Sequence, residues 1–157
     1  MRLGKLFCYL GGILVLVSTY FLTFGQFFGG YFYGLGFIIN LGDIFTLADS
    51  VDMIIAIVLI LFLLSGFLVL LGLKSRISAI IGSLLAISVG LYFILIQFVT
   101  LPPEVIQYAF FFLRLPLVDG IIPFHVAIGV GGLGTYVLFG GGIIGLIGGI
   151  IGTADSE

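Results

Sequence analysis

Charge is the scarcest property of this chain: five Lys and Arg and seven Asp and Glu among 157 residues, 8% in all. Ordinary soluble domains carry roughly 25% charged residues, so a water-covered globule is excluded. The basic residues form no run that could neutralise a phosphate backbone, which excludes nucleic acid as a partner. Tryptophan is absent, and cysteine and histidine occur once each, as Cys8 and His125. A single cysteine excludes an internal disulfide and a dithiol redox pair. A single histidine excludes a bis-histidine haem, and no spacing of His125, Cys8 and the carboxylates resembles a zinc site. No cofactor or metal is expected. A paired-carboxylate mechanism needs two acids sharing one site, and no second aspartate inside a span accompanies Asp43. No catalytic residue is expected either.

What the chain has instead is apolar length. Hydrophobic residues make up 62% and the mean hydropathy is +1.45, gathered into blocks rather than alternating. A run of 18 or more apolar residues reads as a membrane span, and about 20 helical residues cross a hydrocarbon core of about 30 Å. The blocks predict an all-α integral membrane protein, a four-transmembrane-helix bundle in a single domain over 1–157, with spans over about 6–24, 51–73, 77–99 and 131–151. Arg2 and Lys5 give the first block the positive start of a secretory leader. Its apolar run exceeds the usual h-region of about 7–15 residues, and no small-x-small cleavage site follows Phe24, so it reads as an uncleaved helix. Two connections, 25–50 and 100–130, then lie on the outer side, and the turn 74–76 and the tail 152–157 on the inner side. Lys and Arg accumulate in cytoplasmic loops. With both termini cytoplasmic, Arg2, Lys5, Lys74 and Arg76 are inside and only Arg114 is outside.

The stretch GVGGLG, Gly129 to Gly134, fits the G-x-G-x-x-G of dinucleotide-binding folds. That fingerprint needs a strand, a crossover helix and a second strand within about 30 residues. Too little chain follows Gly134 to supply them, and the glycines continue instead. Gly134, Gly141, Gly145, Gly148 and Gly152 line one narrow stripe at 100° per residue, with Gly149 at its edge. Lipid tails are as apolar as Leu, so helices associate in a membrane through small residues that let backbones approach. Gly141, Gly145 and Gly149 form a doubled GxxxG of this kind, a glycine zipper, and Ala79, Ser83, Ala86 and Gly90 make a matching seam on the third span. The stripe is expected to pack either inside the bundle or against a second copy.

Aromatic residues crowd the outer connections: 18 of 24 Phe and Tyr fall within 20–52 or 92–124. These segments are too apolar for solvated loops. They are expected to lie at the interface, to fold back into the membrane, or to dock another subunit. Pro102 and Pro103 suit the start of a short helix ending near Pro116. Four polar residues remain for an outer mouth: Asp52, Gln97, Glu104 and His125. Asp52 also suits a helix N-terminus, and Gln97 a cross-helix hydrogen bond. The expected function is that of a non-enzymatic structural or accessory subunit of a membrane assembly, packed through its glycine-rich fourth helix. Its partners would be the lipid bilayer and other membrane subunits or further copies of itself. The alternative is a small oligomeric channel or carrier whose mouth carries those four polar residues.

Overall fold

The computed structural model describes residues 3–27, 30–47, 50–99, 101–118, 121–129 and 131–152, the side chains of 27, 43–47 and 50–52 excepted. Three helices are long and apolar enough to cross a membrane: α1 (Leu3–Tyr20), α5 (Arg76–Phe98) and α7 (Leu133–Ile151). A fourth crossing is available if the bent pair α3 (Ser50–Leu63) and α4 (Ser65–Leu71) counts as one span. The third and fourth expected spans coincide with α5 and α7 to within two residues. The first helix starts and stops about four residues earlier than expected, which leaves Leu22 to Phe24 free for non-helical pairing.

The second expected span is broken rather than continuous. Its axis turns by 51° at Leu64, immediately before the Ser65–Gly66 pair. Gly/Ser pairs are among the few usual sites of sharp kinks. The turn takes the Leu63 carbonyl out of the helical ladder, and the Tyr20 hydroxyl donates to it at 2.6 Å. Such a partner is what makes broken backbone tolerable away from water.

Helix α7 packs chiefly against α1 and α5, and α4 contacts both of these, closing a ring of four. The closeness comes from small residues on every wall. Gly4, Cys8, Gly11, Val15 and Ser18 of α1 are buried, as are Ala79, Gly82, Ser83, Ala86, Val89 and Gly90 of α5. At one end of the ring Arg76 ties α5 to α7: its Nε donates to the Gly149 carbonyl at 3.0 Å and a terminal nitrogen to that of Ile150 at 2.9 Å. These are last-turn carbonyls of α7, where a cation also complements the helix dipole.

The two long connections, 25–50 and 100–130, depart from the purely helical expectation. The first contains α2 (Gly34–Leu47) and the strands β1 (Gly25–Phe27) and β2 (Gly30–Phe32). The second contains α6 (Pro103–Ile106), a 3-10 turn over Gln107–Phe112, and the strands β3 (Leu113–Arg114) and β4 (Ala127–Ile128). With β5 (Gly131–Gly132), which leads into α7, these strands form one sheet in the order β3-β2-β1-β5-β4. Gly25 pairs with Gly131 and Tyr31 with Arg114, so two segments distant in sequence are knitted together by backbone hydrogen bonds. Strands this short carry little of the alternating apolar pattern by which strands are read from sequence. The expected helix from Pro103 is present, but it tightens into the 3-10 turn and then extends, well before Pro116.

Beneath the sheet lies an aromatic core. The Phe24 ring centroid is 4.8 Å from that of Phe93 and 6.0 Å from that of Phe112, and Phe37 stacks on Phe112 at 4.9 Å. Phe24, Phe37, Phe62, Phe93 and Phe112 are all buried, so α2, α3, α5, the 3-10 turn and the α1–β1 link share one hydrophobic centre.

Candidate functional site at the sheet end of the bundle

The glycines of α7 fall on two neighbouring walls of the same chain. A methyl group built on Gly141 would meet Leu14 Cβ at 2.8 Å, and one on Gly148 would meet the Cys8 nitrogen and the Gly4 carbonyl, both at 2.8 Å. Those contacts belong to α1. Built on Gly142 it would meet Ile87, and on Gly149 Ile80 and Ala79, all on α5. Gly145 faces the junction, with Ser83 Oγ and Val69 Cγ1 each 2.7 Å from the built position. Gly134 abuts the Thr23 carbonyl, and Gly90 lies against Phe139. Gly152 is buried at φ 98° beyond the helix end, next to Gly4. Ala79, Ser83 and Ala86 are fully buried. The face that carries these glycines is therefore occupied by α1 and α5.

The three polar candidates whose side chains are described have separate surroundings. The Asp52 carboxylate lies outside the described residues. Glu104 is exposed in the first turn of α6. His125 sits beside the sheet, its Nδ1 2.6 Å from Thr23 Oγ1 and its ring 5.1 Å from that of Tyr31. Burial pushes its pKa below the ordinary 6.5, so the neutral ring is favoured, and its tautomer sets which of Thr23 Oγ1 and Nδ1 donates. Gln97 lies one residue before the end of α5, where its Oε1 accepts from the Tyr136 hydroxyl at 3.0 Å.

Three of the partners involved, Thr23, Tyr31 and Tyr136, carry no sequence signal for these contacts, because Thr23 and His125 are separated by 102 residues. Asn40 was not singled out from the sequence, although it is one of the few amides in an aromatic stretch. It fastens α2 to the segment ahead of it: Nδ2 donates to the Phe111 and Leu113 carbonyls at 2.9 and 3.1 Å, and Oδ1 accepts from Arg114 at 3.2 Å. Tyr33, buried nearby, donates to the Leu115 carbonyl at 2.6 Å. Burial raises its pKa, and the Arg114 charge pulls the other way.

The concave feature here is a recess of two adjoining chambers between the sheet, α5 and the 3-10 turn. The inner one, about 50 Å³, is lined by Phe24, Gly25, Phe93 and Gly131, and the outer one, about 230 Å³, by Ile106 and Phe110. Gln26, Phe32, Ile96, Gln97 and Ala109 line both. No lining residue is ionisable, so the recess suits an uncharged guest. Gln97 Nε2 is buried and has no acceptor among the described residues. Only a glycine at 131 leaves room for it, because a Cβ there would fall on the amide. Among the described residues no group of three His, Cys, Asp or Glu is placed to hold a metal ion. No family model, curated protein or solved structure matches this chain.

Proposed function

We propose that the chain is a non-enzymatic four-span membrane protein, both termini cytoplasmic, that serves as a structural or accessory subunit of a membrane assembly. The bent α3–α4 pair is the second span, and the four inner Lys and Arg against one outer Arg support the orientation. Packing of the glycine-rich α7 between α1 and α5 supplies a rigid frame, and the partner docks elsewhere.

The observation that carries this reading is an apolar surface on irregular backbone. Between β3 and β4, Leu115, Leu117, Val118, Ile121 and Phe124 are 46–69% exposed. Exposed apolar side chains on a spanning helix need no explanation in a bilayer. Irregular backbone is different, because it is tolerated at membrane depth where protein covers it. Here the N–H groups of Leu117, Val118, Ile121, Ile122 and Phe124 already pair within the chain, so what stands uncovered is apolar side chain. Apolar side chains presented from such backbone fit a second protein better than lipid.

The test is extraction from the native membrane into lipid nanodiscs, with photo-crosslinking residues at Leu117 and, as a helix-face control, at Ile81. One defined partner cross-linked from Leu117 and not from Ile81, and released by Phe124→Arg, is the expected result. A particle with the mass of a single chain, unchanged by Phe124→Arg, would overturn the proposal. A symmetric homo-oligomer whose liposome flux falls with Glu104→Gln would replace it with the channel or carrier reading.

A further inference from the structure

Among the described residues the double chamber has a donor without an acceptor, aromatic and aliphatic walls, and no charge. We propose that it binds one acyl ester group of a membrane lipid, with the ester carbonyl accepting from Gln97 Nε2 and the first methylenes lying in the outer chamber between Ile106 and Phe110. The proposal rests on the membrane placement above and is independent of the accessory role.

Three features select this guest. Gln97 sits at the end of an apolar helix long enough to span, and the ends of a span lie where acyl esters join the headgroup region. A lipid ester is uncharged and offers a carbonyl but no donor, which matches an unpaired amide N–H in a site with no ionisable residue. A dry cavity of about 150 Å³ takes up benzene, so an outer chamber of about 230 Å³ admits a short acyl segment but no whole chain. The rest of the chain would leave past Phe110, which is 42% exposed. Tyr136 fixes the arrangement: its hydroxyl donates to Gln97 Oε1, so Nε2 is the atom left over. Gln26, exposed at the rim, offers a second amide to the ester region.

The probe pair is dioleoyl phosphatidylcholine and its dialkyl ether analogue, which share headgroup and chain length and differ in the two carbonyls. The protein is reconstituted in nanodiscs with equal amounts of both, and the lipid retained after release is counted by native mass spectrometry. We expect the ester lipid to be retained about tenfold over the ether, the factor of one well-placed hydrogen bond. Gln97→Leu should erase that preference, and Ala109→Leu, which fills both chambers, should lower retention of both lipids. Equal retention of ester and ether by the unmodified protein overturns the proposal, whether or not the variants fold. So does a preference that survives in folded Gln97→Leu protein. If the chain enters the disc but shows no preference, the lipid site fails and the membrane placement stands. A chain that stays outside the disc refutes both.

Discussion

Placing a single methyl group on Gly11 tests the central claim of the fold, that α1 and α7 touch through backbone. A Cβ at position 11 would lie 2.5 Å from the Gly145 nitrogen, 2.7 Å from the Gly141 oxygen and 2.8 Å from Gly145 Cα. Non-bonded carbon atoms rest about 3.5–4.0 Å apart, so the two helices would have to separate by about an ångström. No side chain can rotate away to relieve the overlap. Overpacking costs about 1–3 kcal/mol. Against it, Ala is better than Gly in a helix by about 0.8–1.0 kcal/mol. Gly140→Ala on α7 carries the same propensity gain, and nothing lies within 4 Å of its built Cβ. The difference between the two variants isolates the steric contribution. At about 2–4 °C per kcal/mol for a chain of this size, Gly11→Ala should melt about 2–12 °C below Gly140→Ala, which itself should melt slightly above the unmodified protein. Cys8 provides the assay. It is the only cysteine, it is fully buried, and a thiol-reactive dye reaches it when the bundle opens. Gly11→Ala labelling at the same temperature as Gly140→Ala, or a higher one, would refute backbone contact between the helices. Gly145→Leu, aimed at Ser83 and Val69, should lower the transition further still.

The same dye assay checks three other features. Arg76→Ala removes both bonds to the last turn of α7 and should cost about 1–2 kcal/mol, with Arg76→Lys recovering only part of it because an ammonium lacks the two-pronged geometry. Asn40→Ala strands the Phe111 and Leu113 carbonyls and should raise hydrogen exchange in α2 and the 3-10 turn, at a cost of about 1–3 kcal/mol. His125 has its pKa depressed by burial, so the unfolded chain takes up the proton first as pH falls. The stability it contributes is therefore full above the ordinary 6.5 and declines as pH drops from there toward the lower folded value. A transition temperature that falls between pH 7 and pH 5, and falls less in His125→Gln, is the expected result. An imidazole that titrates above 6.5 by NMR would contradict it.

The spans were legible because their signals are long and redundant. In α5 and α7 some twenty consecutive residues all report the same apolar environment, and one exception does not alter the reading. The break at Ser65–Gly66 was harder, because those residues are also ordinary inside a membrane helix. The polar candidates were legible as residues but not as a site. Whether Gln97 meets Glu104 or Tyr136 depends on how the connections fold over the bundle.

By itself, then, the sequence determined the solvent. Five basic and seven acidic residues cannot clothe 157 in water, and the spacing of the glycines determined that α7 has a face others can approach closely. Which helices fill that face was decided by tertiary structure, because a glycine stripe specifies nearness without naming a partner. Here Gly4, Cys8 and Gly11 of α1 and Ala79, Ser83 and Ala86 of α5 fill it. The sheet also belongs to the tertiary structure. Strands of two or three residues have no stability or pattern of their own, and they form only where the bundle beneath brings Gly25 to Gly131 and Tyr31 to Arg114.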